Sequence, residues 1–410
     1  MRAFARTSRL GSAWLVAARS ETCSAPSEMN APNVLLTHFQ STRPRCEVTQ
    51  AHSLRWLTAA HAASESTLQS LDDSEKTSFE ARISKLLQHC GVRPNKVARR
   101  GAAILDIAST RWNEQELYDL TVHPHGKGSA DRSRIYSEVV DAYFANSYAN
   151  ETAIPDDLIH VTCTGYVSPS GAQKLVAQRG WGSQTRVSHA YHMGCYAALP
   201  AIRMAAAYIS NESPKPWRCD IVHTELCSLH IDPSDHRAEQ LVVQSLFADG
   251  FIRYTTRLDD GSPGMRLRSL CQLLVPNSSQ AMTWSMADWG MQITLARDVA
   301  DRIAQVLPDF MAKLYDCAGY TAQHIASSTF AVHPGGPKIV DRVREVLKLD
   351  PAQLSASSRV LFDHGNMSSA TLPHIWMRLM EDPDVPRGSL IPSLAFGPGL
   401  TVCGALFEKA

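Results

Sequence analysis

The 410-residue sequence lacks several features that would identify a simple class of protein. It has no net charge, because 40 basic residues balance 40 acidic ones, and it has no long stretch rich in Lys and Arg. Binding to a phosphate backbone needs local positive charge, so nucleic acid is not an expected partner. The sequence also has no run of about 18 consecutive apolar residues, the length that a membrane span requires. We therefore expect a soluble chain that makes no use of a membrane.

The sequence also lacks the closely spaced cysteine motifs that bind zinc. The ten cysteines include no C-x-x-C pair and no Cys/His cluster with zinc spacing. This excludes the common structural zinc motifs and predicts no bound metal. A reduced, cytoplasmic protein fits this cysteine usage best.

The N-terminal segment differs from the rest of the chain. Residues 1–28 carry four arginines and a short apolar stretch at 11–18, a composition that resembles a targeting segment. We instead expect residues 1–32 to be a disordered extension, with Met29 just before the first strand-like run.

The remaining chain alternates short apolar strands with helices, which predicts an α/β fold. A similar order of strands and helices occurs twice along the chain, which indicates two halves, at 33–260 and 261–410. In the second half the pattern predicts a long helix at 288–307, a strand at 329–333, a helix at 337–347, a strand at 360–363, a helix at 369–380 and closing strands at 389–396 and 401–407.

Cys195 lies between an extended segment and an almost wholly apolar helix. A thiol at a helix N-terminus faces unpaired backbone N–H groups and the positive end of the helix dipole, which favour the thiolate. Burial against apolar residues has the opposite effect, so a positive partner is required. Cys195 is a candidate nucleophile, and simple packing is the alternative.

Two further turns carry polar side chains at the ends of predicted strands. His333 begins the turn His-Pro-Gly-Gly-Pro, and Asn366 lies in the turn Gly-Asn-Met-Ser-Ser. In α/β sheets, sites are assembled at such strand ends. With Cys195 these residues predict acyl transfer: His333 as imidazolium stabilises the thiolate, and His333 and Asn366 then donate hydrogen bonds to an oxyanion.

Two reaction classes use such a Cys/His/Asn set. His333 lies 138 residues beyond Cys195, a separation that also fits papain-like peptidases. The Met-Gly-Cys-Tyr context of the cysteine argues against a peptidase.

Six motifs together resemble the chalcone synthase-like, type III polyketide synthase family of the thiolase fold. The resemblance extends over residues 33–410. The motifs are Cys163-Thr-Gly-Tyr166, Tyr191-His-Met-Gly-Cys-Tyr-Ala-Ala-Leu-Pro200, Leu246-Phe-Ala-Asp-Gly250, His333-Pro-Gly-Gly-Pro337, Gly365-Asn-Met-Ser-Ser-Ala370 and Phe396-Gly-Pro-Gly399.

This resemblance implies a homodimer of five-layered αβαβα subunits, each with two pseudo-equivalent halves. It also implies that Cys195 is acylated and that His333 and Asn366 support decarboxylation of a malonyl thioester and carbon–carbon bond formation. The substrates would be thioesters of CoA or of a phosphopantetheine arm on an acyl carrier protein. No permanently bound cofactor is implied.

The resemblance also assigns residues around the substrate. Phe247 would lie between the CoA tunnel and the reaction cavity, and Ile293 would replace a cavity aromatic of plant members, which opens space. Thr164 would line the cavity, with Glu225 buried beside it. Each of these four could equally be ordinary core. Basic residues near the tunnel mouth, which would meet the thioester phosphates, are Lys96, Arg99 and Arg100.

Departures from the family pattern leave the reaction open. Ala248 replaces a usual glycine, and the bulky run Phe251-Ile-Arg-Tyr254 replaces small residues, which puts bulk near the cavity floor or a neighbouring strand. We expect a condensing acyltransferase whose product is an α-pyrone or a resorcinol. The main alternative is a stand-alone ketosynthase that joins two carrier-bound β-ketoacyl chains into an α-pyrone without malonyl decarboxylation. A catalytically silent partner subunit is a third hypothesis.

Overall fold

The computed structural model describes residues 34–210 and 217–410, so the predicted extension at 1–32 lies outside the described residues. The strands are β1 Val34–Thr42, β2 Cys46–Thr49, β3 Arg99–Ala102, β4 Asp157–Thr162, β5 Arg186–Tyr191, β6 Arg218–Glu225, β7 Gly250–Leu258, β8 Met265–Leu274, β9 Met282–Met286, β10 Met291–Leu295, β11 Ala331–Val332, β12 Leu390–Gly397 and β13 Thr401–Lys409. The α-helices are α1 Gln50–Gln69, α2 Asp73–Cys90, α3 Ser129–Ser147, α4 Gly171–Gln178, α5 Ala198–Ser210, α6 Ala238–Leu246, α7 Val299–Asp316, α8 Pro337–Leu347, α9 Ser355–His364 and α10 Thr371–Glu381.

Nine strands form one sheet, in the order β11-β12-β13-β8-β1-β7-β6-β4-β5. Among the described residues, two pairs join its two parts, Leu35 with Arg266 and Leu36 with Met265. The boundary predicted at residue 260 falls in the turn between β7 and β8. Strands β9 and β10 form a separate hairpin, and β2 pairs with β3.

The two parts of the sheet repeat one pattern. In the first, β4 and β6 are parallel, β6 and β7 antiparallel, and β7 and β1 antiparallel. In the second, β11, β12, β13 and β8 repeat the same three relations in the same order. Among the strands that the structure describes, the edge strand β5 has no counterpart in the second part. These are the pseudo-equivalent halves that the resemblance implies.

Helices α5 and α10 lie between the two parts of the sheet. One core cluster unites both helices with strands of both halves, including Ile221, Ile252, Ile391 and Phe407. A second cluster packs α1 to α4 on the outer face of the first half, and a third packs α7 and α8 on the second. Because helices cover both faces, strands such as β12 are buried at every position. The layer order is the predicted αβαβα.

Local sequence signals set several of the helix starts. Asp72 and Glu75 form a reciprocal capping box at the start of α2, and Ser170 and Gln173 form another at α4. These side chains satisfy N–H groups that a helix leaves unpaired in its first turn.

Two predicted elements of the second half are wrong. The strand predicted at 360–363 is part of α9, because Val360 and Leu361 join Ala356 and Ser357 on the buried side of that helix. The helix predicted at 288–307 begins only at Val299, since the preceding residues form β10.

Within 34–210 and 217–410, none of the helices combines the length and apolar character needed to cross a membrane.

Candidate active site

Cys195 lies in a single 3-10 turn, Gly194–Tyr196, directly before the central helix α5. Gly194 has φ +75°, and a Cβ there would lie 2.7 Å from Pro398 Cδ, so this position requires glycine on both counts. The turn therefore packs its backbone against the loop that follows β12. This close approach holds Cys195 at the boundary between the two halves.

Asn366 has an equivalent position, in the turn before the other central helix, α10. Its backbone N–H donates to the Leu246 carbonyl at 3.0 Å, and its carbonyl accepts from the Ala248 N–H at 2.8 Å. Its side-chain Oδ1 accepts from the Ser368 N–H at 2.9 Å and from Thr371 Oγ1 at 3.4 Å. With the oxygen fixed, the buried Nδ2 group finds no hydrogen-bond partner among the described residues.

His333 directly follows β11, and its backbone N–H donates to the Leu394 carbonyl at 2.7 Å. The turn after it approaches α6, since a Cβ at Gly336 would lie 3.7 Å from Leu246 Cδ2. The ring is buried, and neither ring nitrogen has a hydrogen-bond partner within residues 34–210 and 217–410. Burial lowers the pKa of His333 to about 3, so the imidazole is neutral.

The thiol of Cys195 is also neutral at rest. Burial raises its pKa to about 12, and the charge of Glu225 acts in the same direction. Ser368, whose Oγ lies 3.9 Å from the sulfur, and the amide of Asn366 partly oppose this rise. These shifts favour a thiol beside a neutral imidazole in the resting protein, and the thiolate–imidazolium pair stays a prediction.

Cys195 opens into a cavity that encloses about 970 Å³ of space not occupied by atoms, its mouth included. The lining is mainly apolar, and it brings Cys195 together with Phe247, Thr164 and Ile293 as the sequence predicted. The neighbouring lining residues are Trp56, Leu57, Ile107, Cys163, Cys227, His230, Gln240, Gln244, Met282, Trp284, Trp289, Met291 and Ser368. Among the described residues, His333, Asn366 and Glu225 are not part of this lining.

Glu225 lies fully buried behind the cavity wall. Its carboxylate accepts from the Cys163 N–H at 3.1 Å and from Thr164 Oγ1 at 2.9 Å, and Ser369 Oγ donates a further short hydrogen bond. Burial raises its pKa, and these donors oppose the rise. Glu225 therefore fixes the positions of wall residues.

The three predicted phosphate-binding residues do not act as one group. Arg100 is buried, and its guanidinium donates to Gln50 Oε1 at 2.9 Å and to the carbonyls of Gln244 and Phe247, both at 2.7 Å. It therefore supports Phe247 within the cavity wall, which corrects its predicted place at the mouth. Lys96 and Arg99 are exposed and lie outside the cavity lining.

The bulky run after Asp249 lies against the neighbouring strands β1 and β6, the second of its two expected positions, and does not line the cavity. Phe251 lies in an outer groove beside Tyr143. Tyr254 lies in the central layer, where its ring stacks on Phe39 at 5.3 Å and on His223 at 5.7 Å.

Sequence reasoning missed several wall residues. Cys163 stands in a motif used for the resemblance, yet only the fold brings its sulfur within 3.0 Å of Ser368 Oγ. Trp284, on the β9–β10 hairpin, donates from Nε1 to the Cys163 carbonyl at 2.6 Å. Neither pairing has a local signal, because the partners lie far apart in sequence.

Fold and site together define a class. In this five-layered αβαβα chain, a partly buried cysteine lies in the turn before a central helix. The second half contributes a His whose ring nitrogens, and an Asn whose Nδ2, have no partner among the described residues. This combination defines a thiolase-like protein with a site suited to acyl transfer.

Comparisons with known proteins narrow the class. Residues 266–409 match the family model for chalcone and stilbene synthases, C-terminal domain. The chain is 30% identical over 258 residues to type III polyketide synthase C of Arabidopsis thaliana, covering 62% of this chain and 67% of that protein. It is 28% identical over 299 residues to 1,3,6,8-tetrahydroxynaphthalene synthase of Streptomyces coelicolor, covering 71% and 78%.

Solved structures agree on the fold. The C-terminal type III polyketide synthase domain of Steely1, from Dictyostelium, aligns with a TM-score of 0.74 at 21% identity, over 92% of this chain and 99% of that one. The Streptomyces coelicolor tetrahydroxynaphthalene synthase aligns with a TM-score of 0.73 at 22% identity, over 92% and 99%. The chain belongs to the type III polyketide synthase family, which indicates a transferase.

Proposed function

We propose that this chain loads an acyl group from a thioester onto Cys195 and extends it with a carbon nucleophile derived from malonyl-CoA. One observation carries the proposal: three buried hydrogen-bonding groups, the two ring nitrogens of His333 and the Nδ2 of Asn366, have no partner among the described residues. Unpaired buried polar groups are costly to a fold, and the amide of Asn366 acts on the Cys195 thiol, so these groups support a role toward substrate oxygens.

The neutral thiol and imidazole determine how loading proceeds. The Cys195 sulfur attacks the thioester carbonyl carbon while a ring nitrogen of His333 takes the thiol proton. The tetrahedral intermediate then collapses, and the departing CoA or pantetheine thiol leaves with that proton. The acyl group remains on Cys195 as a new thioester.

Extension uses the same two residues as hydrogen-bond donors. When the malonyl thioester loses carbon dioxide, the electron pair of the broken carbon–carbon bond forms a thioester enolate, whose oxygen accepts from Asn366 Nδ2 and from the N–H of neutral His333. The enolate carbon attacks the acyl carbonyl on Cys195. A carbon–carbon bond forms, and the cysteine sulfur departs.

The cavity supports a substrate class. Trp56, Leu57 and Ile107 contribute apolar side chains to the lining that holds Cys195 and Phe247. We infer an aliphatic acyl starter, with the β-keto chain closing to an α-pyrone or a resorcinol.

The test is release of carbon dioxide from carboxyl-labelled malonyl-CoA, with a series of acyl-CoA starters. We expect Cys195→Ala to abolish enzyme acylation, and Asn366→Ala to slow carbon dioxide release by about 10²-fold or more because an oxyanion donor is lost. Removing His333 should also slow release. Cys403→Ala, which removes a buried thiol on β13, is the matched control and should retain both steps. Acylation of the Cys195→Ala protein would contradict the assignment.

The position of Arg100 supports a second candidate. With Arg100 bonded inside the protein, Lys96 and Arg99 alone remain of the cations predicted to meet CoA phosphates. A stand-alone ketosynthase that accepts β-ketoacyl chains from an acyl carrier protein would not need that contact. No carbon dioxide release, in a protein whose Cys195 is acylated by β-ketoacyl carrier proteins, would favour this candidate.

A further inference from the structure

Four buried polar side chains form a hydrogen-bonded chain behind the Cys195 cavity. Tyr254 Oη lies 3.3 Å from His223 Nε2, and His223 Nδ1 lies 3.0 Å from Ser369 Oγ. Ser369 Oγ in turn makes the short hydrogen bond to Glu225 Oε1. The chain thus connects β7, β6 and the turn before α10.

The direction of each hydrogen bond follows from the available protons. Ser369 has one hydroxyl proton and gives it to the carboxylate of Glu225, so it accepts from the N–H of His223 Nδ1. The Nε2 atom of His223 then carries no proton and accepts from the Tyr254 hydroxyl. Every donor in the chain points toward Glu225, which favours the ionised carboxylate.

His223 takes part as a neutral group. Burial lowers its pKa well below the ordinary value, and the neighbouring His374 on α10 and His160 on β4 act in the same direction. The other titratable groups near it are Tyr254 and, through Ser369, Glu225. The hydrogen-bonded chain therefore stabilises the Glu225 carboxylate through aligned hydrogen bonds, and His223 adds no positive charge beside the site.

Glu225 faces a second cavity thiol. Both of its oxygens lie 3.5 Å from Cys163 Sγ, and Cys163, like Cys195, lines the cavity. Ser368 Oγ lies between the two thiols, 3.0 Å from Cys163 Sγ and 3.9 Å from Cys195 Sγ. The Glu225–Cys163 pair can hold its one proton on sulfur or on oxygen. Cys163 is a thiolate, and so a nucleophile, only when the proton is on Glu225.

We propose that His223 is a positioning residue: through Ser369 it keeps the shared proton on Cys163 and off Glu225, which leaves Cys195 as the thiol that is acylated. The proposal deepens the function above, because two thiols in one cavity would otherwise compete for the acyl group. It assigns a purpose to Tyr254, which the sequence marked only as a departure from the family pattern.

The test compares alkylation of the two thiols by iodoacetamide at a fixed pH near 7, with peptide mapping by mass spectrometry. His223→Phe keeps a ring for Tyr254 to stack on but removes both nitrogens. We expect the Cys163 rate to rise about tenfold, as for loss of one hydrogen bond toward a charged group. The Cys195 rate should change much less, because among the described residues Cys195 makes no hydrogen bond to Glu225 and its sulfur faces Ser368 Oγ at 3.9 Å.

Rescue separates positioning from simple packing. His223→Asn places an amide N–H near the former Nδ1 and should return the Cys163 rate toward that of the unaltered protein. Tyr315→Phe is the matched control, since it removes a buried hydroxyl 2.7 Å from Ser328 Oγ in the other half and should leave both rates unchanged.

A second variant keeps the proposal falsifiable if His223→Phe does not fold. Ser369→Ala breaks the chain next to Glu225 and should raise the Cys163 rate by at least as much. An unchanged Cys163 rate in whichever of these variants folds would overturn the proposal. Because alkylation needs no substrate, this outcome is independent of the labelled malonyl-CoA experiment that tests the proposed function.

Discussion

At the scale of the residue, the site is defined by polar atoms that the fold leaves unpaired. A buried donor or acceptor without a partner costs about 1–3 kcal/mol, and His333 and Asn366 contribute three such atoms within the described residues. Glu225 is equally buried, but its carboxylate accepts hydrogen bonds from Cys163 N–H, Thr164 Oγ1 and Ser369 Oγ. The contrast separates groups available to a substrate from groups that hold the wall.

The neutral state of Cys195 predicts a particular pH dependence. With the thiol pKa raised to about 12, only a small thiolate fraction exists near neutral pH, and it grows about tenfold for each pH unit below that pKa. We expect the rate of Cys195 alkylation by iodoacetamide to rise steadily from pH 6 to pH 9 with no plateau.

A free cysteine peptide is the control for this measurement, because its rate levels off near its ordinary pKa of about 8.5. An alkylation rate at Cys195 that stays constant between pH 6 and pH 8 would reveal a resting thiolate paired with imidazolium, and would contradict the neutral pair.

The sequence could identify Cys195, His333 and Asn366 because each lies in a distinctive turn between secondary-structure elements. It could not identify the Tyr254–His223–Ser369 chain, whose members are separated by 31 and 146 residues. For the same reason Arg100 was predicted as a surface cation. Its burial depends on Gln50, Gln244 and Phe247, which only the folded chain brings together.

At the scale of the element, the internal repeat of the fold explains where the site residues lie. The helices α5 and α10 precede the equivalent strands β6 and β12, so the turns of Cys195 and Asn366 correspond. His333 follows β11 just as Cys163 follows its equivalent, β4. The site is built from these corresponding strand and helix ends, one set from each half of the chain.

Hydrophobic periodicity gave a wrong prediction where a short apolar run fits either a strand or a helix. The segment Val360–Leu361–Phe362 suits a strand, but in α9 only Val360 and Leu361 are buried, one helical turn after Ala356 and Ser357. The β9–β10 hairpin was also missed, and this loss matters more, because five of its residues line the cavity: Met282, Trp284, Trp289, Met291 and Ile293.

This hairpin predicts a specificity change. Ile293→Phe adds a ring to the cavity wall, and overfilling an apolar site costs about 1–3 kcal/mol. We expect kcat/KM for the longest accepted acyl-CoA to fall about tenfold, with a smaller effect on short starters. A chain-length series measured by product formation tests this.

Met286→Phe provides the control on the same hairpin, since Met286 is exposed and outside the cavity lining. Its chain-length profile should match that of the unaltered protein. Equal losses for long and short starters in Ile293→Phe would mean that Ile293 does not contact the acyl chain.

At the scale of the whole molecule, the sheet ends at β5, which pairs only with β4 in the described structure. An open edge strand can pair with a second chain, and a symmetric pair of such edges gives a closed dimer. Beside the end of β5, Tyr166 is 40% exposed, and its ring lies 5.4 Å from the ring of His192. The edge and the tyrosine together favour the predicted homodimer at this side.

We expect sedimentation velocity to give the mass of two chains, and Tyr166→Asp to shift the equilibrium toward one chain, because a charge would be buried in the interface. Val122→Asp, at a position 62% exposed in a distant loop, is the matched control and should not change the mass. A dimer unaffected by Tyr166→Asp would mean that the chains associate through another surface. A single-chain mass for the unaltered protein would exclude the dimer. Tyr166 closely follows Cys163 and Thr164, so loss of the dimer should also change the cavity wall. We therefore expect the activity of Tyr166→Asp to fall as its sedimenting mass falls from two chains to one.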